Sequence, residues 1–366
     1  MGVRFLNKYL KNNCHHAINE KNFSYFSNKI IAVDASIYIY KYLKTNNLLE
    51  GIYSMIIAFK KHNIKPIFVF DGKSIEQKND LILARKEKKE KARKEYNKLL
   101  EQYNYLTNSY TNVNVNVNTN THNENIDILV EKMNILKKEC IQLKREDVTN
   151  IKELLTEFQI QYLDAENEAD TLCVQLVKNN IAYACLSEDM DMFVYGCPRV
   201  LRYISVTHEK MVLYDFKKIL TILKMNEEIF QIICILSGTD YNDYVDNHES
   251  CQCINKVLYY MESYKLYKKQ LYPHSHPKKI IINDFENWLF NLPPKTILNT
   301  NDNCDLYYRT NYQTIKDIFQ MKDIEFKFHK HTFYPSDKNM VHKKTKKINK
   351  KNIEDIMKKE NFFFII

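Results

Sequence analysis

LDAENEADTLCVQLVKNNIAYACLSEDMDMFVY, Leu163 to Tyr195, holds two acidic pairs, Glu168 with Asp170 and Asp189 with Asp191. Ile181 to Leu186 is a short apolar run closed by a turn, which predicts a fully buried strand. Ser187-Glu188-Asp189-Met190-Asp191 follows at its C-terminal end. The first half predicts a helix entering at Glu168 and reaching Val177, with Leu172, Leu176 and Val177 on its inner face. Packing that helix on that strand brings four carboxylates to one edge of a sheet. Carboxylates so crowded repel one another and stay ionised only where cations sit between them. The stretch therefore predicts a divalent-metal site, with further acids expected at other strand ends.

Working outward, residues 28–33 (NKIIAV) predict a strand ending at Asp34, and residues 64–70 (IKPIFVF) another ending at Asp71. Helices are predicted between them, over 35–42 and 51–61. Strands alternating with helices imply an α/β fold with a parallel sheet, in which ligands bind outside the carboxyl ends of the strands. After Asp191 come two strands, 199–205 and 210–214, which give the sheet a mixed edge. Two helices follow, over 215–224 and 226–236, and the second runs into Ser237-Gly238-Thr239-Asp240-Tyr241. Residues 243–270 predict a further, Tyr-rich helix.

From Lys73 to Tyr103 the chain is strongly basic with a thin apolar face, which composition alone reads as a solvated helix. Residues 104–125 are low-complexity and Asn-rich and predict a disordered insertion. Helix is expected to resume near Ile126 and to continue through Ile151, Leu154, Leu155 and Phe158. The organisation is then an N-terminal region 1–103, the insertion 104–125, an internal region 126–270 and a C-terminal extension 271–366. The last carries Lys343-Lys344-Thr345-Lys346-Lys347.

The chain has 366 residues, 45% of them hydrophobic, enough for one large or two smaller domains. Lys plus Arg is 54 against 45 acids, a net charge of +9. A basic chain that gathers its acids into clusters suits a polyanion partner with metal ions in between. Nine Cys lie without a framework or zinc spacing, so reduced thiols in an intracellular protein are expected. No apolar run approaches the ~18 residues of a membrane span. Met1-Gly2 opens the chain, but Leu6 stands where a myristoylation signal needs Ser or Thr.

Seven acids stand at predicted strand or helix ends: Asp34, Asp71, Glu168, Asp170, Asp189, Asp191 and Asp240. One alone is ordinarily a cap or turn residue; seven so placed are hard to explain that way. A pair of divalent cations held by such oxygens can clamp the attacking and leaving oxygens of a phosphodiester. With MGVRFLNKYL, IIAVDASIYIY, IFVFDGK, LDAENEAD, SEDMD and SGTDY in one register, the chain resembles the flap endonuclease branch of the structure-specific 5′ nuclease superfamily (XPG-like). The resemblance implies a helical arch and two Mg²⁺, replaceable by Mn²⁺. Asp34, Asp71, Glu168 and Asp170 would hold the first ion, and Asp189, Asp191 and Asp240 the second. The family usually writes Glu-Ala-Glu where this chain has Glu168-Ala169-Asp170; bacterial relatives also use the shorter Asp.

The resemblance further assigns Lys78 and Arg85, seven residues apart after FDG, to the scissile phosphate, and turns the basic helix into the arch around a single-stranded 5′ end. Tyr40 matches an aromatic that stacks on a base, and Gly2 a buried N-terminal glycine near the site. Asn247-His248-Glu249-Ser250, without Gly, replaces the family's duplex-binding hairpin, so the helix–two-turn–helix is degenerate and no potassium site is carried over. Gln313 is followed by Lys316 where a sliding-clamp motif needs an aliphatic residue. These departures resemble members from large DNA viruses. The implied activity is hydrolysis of flap or branched DNA in replication, repair or recombination, by a monomer, in a nucleus or at a viral replication site. A 5′ exonuclease, a junction resolvase and an inactive nucleic-acid-binding scaffold are the alternatives.

Overall fold

The computed structural model describes residues 2, 3, 5–74, 78–111, 119–241, 254–271, 285–288, 312–320 and 349–360. Its centre is a seven-stranded sheet built from β1 (Ile18–Asn22), β2 (Ile30–Asp34), β3 (Lys65–Phe70), β4 (Gln161–Asp164), β5 (Ala184–Leu186), β6 (Arg199–Ser205) and β7 (Lys210–Asp215), in the order β1-β7-β6-β5-β2-β3-β4. The pairs from β6 to β4 are parallel; β7 and β1 add antiparallel at one edge. This is the expected parallel sheet with a mixed edge.

The central strands are apolar on both faces because each face is covered by helix. Along β2, Ile31 and Val33 point to one core and Ala32 to the other; along β3, Phe68 and Phe70 oppose Ile67 and Val69. The first core is roofed by α2 (Ala35–Leu43), α3 (Leu48–Lys61) and α6 (Arg145–Glu157), through side chains such as Tyr38, Met55, Phe59 and Leu154. The second lies under α1 (Leu6–Asn13), α7 (Ala169–Lys178), α9 (Phe216–Leu223) and α10 (Glu227–Ser237), through Leu6, Val174, Phe216 and Phe230.

Three adjacent strands stop together at one edge. Asp34 pairs with Val69, and Val33 with Leu186, so the carboxyl ends of β5, β2 and β3 are level. On the neighbouring strand Phe70 pairs with Asp164, the end of β4, and α7 starts five residues later. The sheet register alone thus brings Asp34, Asp71, the start of α7 and the turn after β5 to one place.

Two expectations change. The basic helix is α4 (Asn79–Thr111), and α5 (Thr119–Glu139) packs along it, so 104–125 is helical at both ends. Once a helix is nucleated, each further residue adds a hydrogen bond, and polar Asn-rich turns can continue it. Residues 112–118 lie outside the described residues. Helix also does not run unbroken from 126 to 158. α5 ends at Glu139 and α6 restarts at Arg145, where the Asp147 carboxylate accepts the Lys144 amide at 2.8 Å and closes the new N-terminus. In the region expected as one helix over 243–270, α11 (Ile254–Leu271) is present; 242–253, with the hairpin 247–250, lies outside the described residues, as does the Lys run 343–347.

Candidate active site

Asp34 ends β2 and caps α2, its Oδ1 accepting the Ile37 amide at 3.5 Å. The ordinary capping role is therefore real for this acid. Its other oxygen accepts the Ser187 hydroxyl at 2.9 Å, and the same hydroxyl accepts the Asp189 amide at 3.1 Å. Asp189 in turn accepts the Asp191 amide at 3.0 Å, so the SEDMD turn is tied from Asp34 to the first residue of α8 (Asp191–Val194). Buried Arg202 on β6 holds the turn from behind, donating to the Glu188 carbonyl at 2.8 Å and to Asn7 of α1 at 2.9 Å.

Asp71 follows β3 directly. It accepts the Ala169 amide at 2.8 Å and the Ser36 hydroxyl, which locks the N-terminus of α7 against the end of β3. Glu168 and Asp170 flank that amide. Gly72 allows the approach: a Cβ there would strike the Ala165 and Glu166 backbone. The Glu166 backbone carbonyl accepts the Lys73 amide at 3.0 Å.

Asp34, Asp189 and Asp191 are at most 5% exposed. Burial and then the charge of Asp71 push the Asp34 carboxyl up to about 7. Burial and then the charges of Asp34 and Asp189 hold Asp170 well above the usual carboxylate range. Asp191 is raised the same way, by burial and then Asp189 and Asp240, and Asp189 by burial. Asp191 Oδ1 is buried without a hydrogen-bond partner.

Lys78, one residue before α4, places Nζ 2.7 Å from Glu168 Oε1. Burial would lower its pKa, but the Glu168 charge and hydrogen bond outweigh that and raise it. Arg85, half-exposed on α4, places a guanidinium nitrogen 3.1 Å from Asp240 Oδ2. Lys78 and Arg85 thus each pair with one of the seven acids. Gly2, at φ +77°, donates its amide to Asp240 Oδ1 at 3.1 Å and packs so tightly that a Cβ would meet Asp189 and Asp191. Tyr40 is 40% exposed, and Lys89 Nζ lies 5.6 Å from its ring centre.

The structure therefore gathers all seven acids, both cations, Gly2 and Tyr40 around one edge. Among the described residues no three acids close into a ready-made cage. Mg²⁺ does not need one, since it keeps several waters and takes only a few carboxylates. An all-oxygen donor set, mutually raised carboxyls and the orphaned Asp191 oxygen fit hard divalent cations. Sequence reasoning missed Ser187, Ser36 and Tyr241. Tyr241 stood in the quoted SGTDY and passed as the residue after the acid; its hydroxyl donates to Glu168 Oε2 at 2.6 Å.

Two family models match the chain: the XPG N-terminal domain over residues 1–92 and the XPG I-region over 159–240. Flap endonuclease 1 of Lodderomyces elongisporus is 27% identical over 80% of this chain and 73% of its own length. Flap endonuclease 1 of Homo sapiens is 28% identical over 79% and 72%. Among solved structures, the catalytic core of Rad2 in complex with DNA substrate superposes with a TM-score of 0.57 at 18% identity, over 98% of this chain and 95% of that one. That likeness shows the α/β fold. Among the described residues no helix is long and apolar enough to cross a membrane.

Proposed function

We infer that the chain is a member of the XPG/Rad2 nuclease superfamily and a structure-specific 5′ nuclease that hydrolyses phosphodiester bonds in DNA, a reading supported by the two XPG family matches and the flap endonuclease relatives. The observation that carries the site assignment is the buried acid cluster with its orphaned Asp191 oxygen, met by Lys78 and Arg85. Asp34, Asp71, Glu168 and Asp170 would hold one divalent ion, and Asp189, Asp191 and Asp240 a second, Mg²⁺ or Mn²⁺. Ions bound there supply an activated water and neutralise charge on the attacking and leaving oxygens.

The chain's own residues do the rest. Lys78 and Arg85 exchange their carboxylate partners for oxygens of the scissile phosphate and stabilise the charge that develops there. Before that exchange, burial lowers the Lys78 pKa, but the Glu168 charge and hydrogen bond outweigh it. Tyr40 offers an exposed ring on which a base stacks whatever its identity. Gly2 keeps Asp189, Asp191 and Asp240 together. Binding independent of sequence comes from phosphate contacts along the basic face of α4.

Flap or branched DNA is the substrate this reading favours, within a nucleus or a viral replication site and without a clamp motif at Gln313. The likeness to viral members rests on the departures at 247–250 and at Gln313 together with the composition; the relatives compared above are cellular. Flap, nicked, blunt and four-way DNA, each incubated with Mg²⁺ and with EDTA, test it. Mg²⁺-dependent cutting of the flap ahead of the others is the expected result. Preference for blunt ends or four-way junctions makes the chain an exonuclease or a resolvase, and binding without turnover makes it a scaffold.

A further inference from the structure

We propose that Tyr241 is a positioning residue that fixes Glu168 and Lys78 relative to each other, and that Tyr195 and the C-terminal helix 312–319 hold it in place. The Tyr241 hydroxyl lies 2.6 Å from Glu168 Oε2 and 3.1 Å from the Tyr195 hydroxyl. A carboxylate can only accept, so Tyr241 donates to Glu168, and its oxygen is left to accept from Tyr195. The other Glu168 oxygen accepts from Lys78 at 2.7 Å, and Lys78 Nζ lies 4.8 Å from the centre of the Tyr241 ring. One side chain therefore meets the acid through its hydroxyl and the arch cation through its ring face.

The ring is itself wedged. Phe319 packs on Tyr195 at 4.7 Å and edge-on to Tyr241 at 5.4 Å between ring centres. The helix carrying Phe319 is anchored by Gln231, whose side-chain amide donates to the carbonyls of Val194 at 2.9 Å and Phe319 at 3.4 Å. Lys316 and Tyr312 of that helix both bond Glu286 Oε1, at 2.8 and 2.6 Å. The extension after residue 271 thus reaches the acid edge through two buried tyrosines. Tyr241 acts through Glu168 and Lys78, the two groups it contacts.

This inference rests on the reading of Glu168 as a metal ligand, and the test separates the two. Mn²⁺ affinity of the DNA-free full chain is measured by calorimetry for wild type, Glu168→Gln, Tyr241→Phe and the double variant. Single-turnover flap cleavage is measured across Mg²⁺ concentration for wild type, Tyr241→Phe and Phe319→Ala. Tyr241→Phe keeps the ring and removes only the donor. Expected are about tenfold weaker Mn²⁺ binding, the scale of one hydrogen bond to a charged group, a rightward Mg²⁺ dependence and unchanged flap affinity in Ca²⁺. The double variant is expected to bind no more weakly than Glu168→Gln alone, because both lesions act on one carboxylate. Phe319→Ala shifts the Mg²⁺ dependence the same way, and Tyr195→Phe is the substitute should it fail to fold. Wild-type Mn²⁺ affinity in Tyr241→Phe, with Glu168→Gln weakened, overturns the proposal alone. Wild-type affinity in Glu168→Gln overturns the ligand reading on which it stands.

Discussion

Replacing Gly2 by alanine adds one methyl group to the most crowded point of the site. The Cβ would stand 2.7 Å from both the amide nitrogen and Oδ1 of Asp191, and closer still to Asp189 Oδ1. Ordinary contact begins near 3.4 Å, so the two Asp191 atoms must yield by about 0.7 Å, and Asp189 Oδ1 by more, in an interior with little free volume. The left-handed φ of +77° adds about 1–2 kcal/mol of backbone strain for any residue with a Cβ. Either the two carboxylates move or residues 2 and 3 lift away and Asp240 loses its 3.1 Å amide donor. A displacement of ~1 Å in a reacting geometry costs on the order of 10²-fold, so a fall of about ten- to a hundredfold is expected. The assay is single-turnover cleavage of a 5′-flap duplex in saturating Mg²⁺, with affinity measured in Ca²⁺ and Lys8→Ala, exposed on α1, as the control. Affinity should hold within a few-fold while the rate drops. A Gly2→Ala rate within twofold of wild type would refute the crowding argument.

Arg85→Ala should lower the single-turnover rate by at least ~10²-fold, the scale of one lost transition-state donor, whereas Lys88→Ala, exposed on the same helix, should only reduce the salt slope by about one phosphate contact. Equal, modest effects from both would retire the arch assignment. Ser187→Ala removes the hydroxyl that bonds Asp34 and receives the Asp189 amide; about tenfold slower cleavage at unchanged affinity is expected, and an unaltered rate would show that the acids hold themselves in place. In EDTA the melting temperature should fall as pH rises. Asp34 is raised to about 7 by burial and the Asp71 charge, so the fold binds its proton more tightly than the unfolded chain does. That stabilisation is complete below the ordinary carboxylate pKa of about 4 and is lost as pH climbs through about 7. Added Mg²⁺ should restore the melting temperature at about pH 8 and change little at about pH 5; a rise with pH in EDTA would contradict the assignment.

The strands that end at acids were legible because β2, β3 and β5 are buried on both faces and read as unbroken apolar runs. The edge strands were not. β1, INEKN, is exposed at most positions and is held by its pairing with β7, from Ile18 opposite Tyr214 to Asn22 opposite Lys210. β4 is four residues long, with only Leu163 buried. The helix Lys350–Lys358 hid in a Lys-rich tail. Its Ile353, Ile356 and Met357 stand at helical spacing and are buried against the α3–α6 core, while Glu360 accepts the Leu49 amide at 2.8 Å. That spacing was visible, but charge composition dominated the reading. The acids were legible as a set because a short motif carries each one. Ser187, Tyr195 and Phe319 were not, since what they do depends on which distant side chain the fold sets beside them.

Cleavage of one 5′-flap duplex by wild type and by Asp189→Asn tests the central claim most directly. The substitution keeps an oxygen able to accept the Asp191 amide at 3.0 Å, so the turn survives while a charged ligand is lost. Wild type should cut near the flap junction with Mg²⁺ and not with EDTA. Asp189→Asn should not cut, yet should bind the flap in Ca²⁺ within a few-fold of wild type, because a lost ligand removes transition-state stabilisation rather than phosphate affinity. Near-normal turnover by Asp189→Asn in saturating Mg²⁺ would contradict a metal-dependent nuclease site at this edge of the sheet.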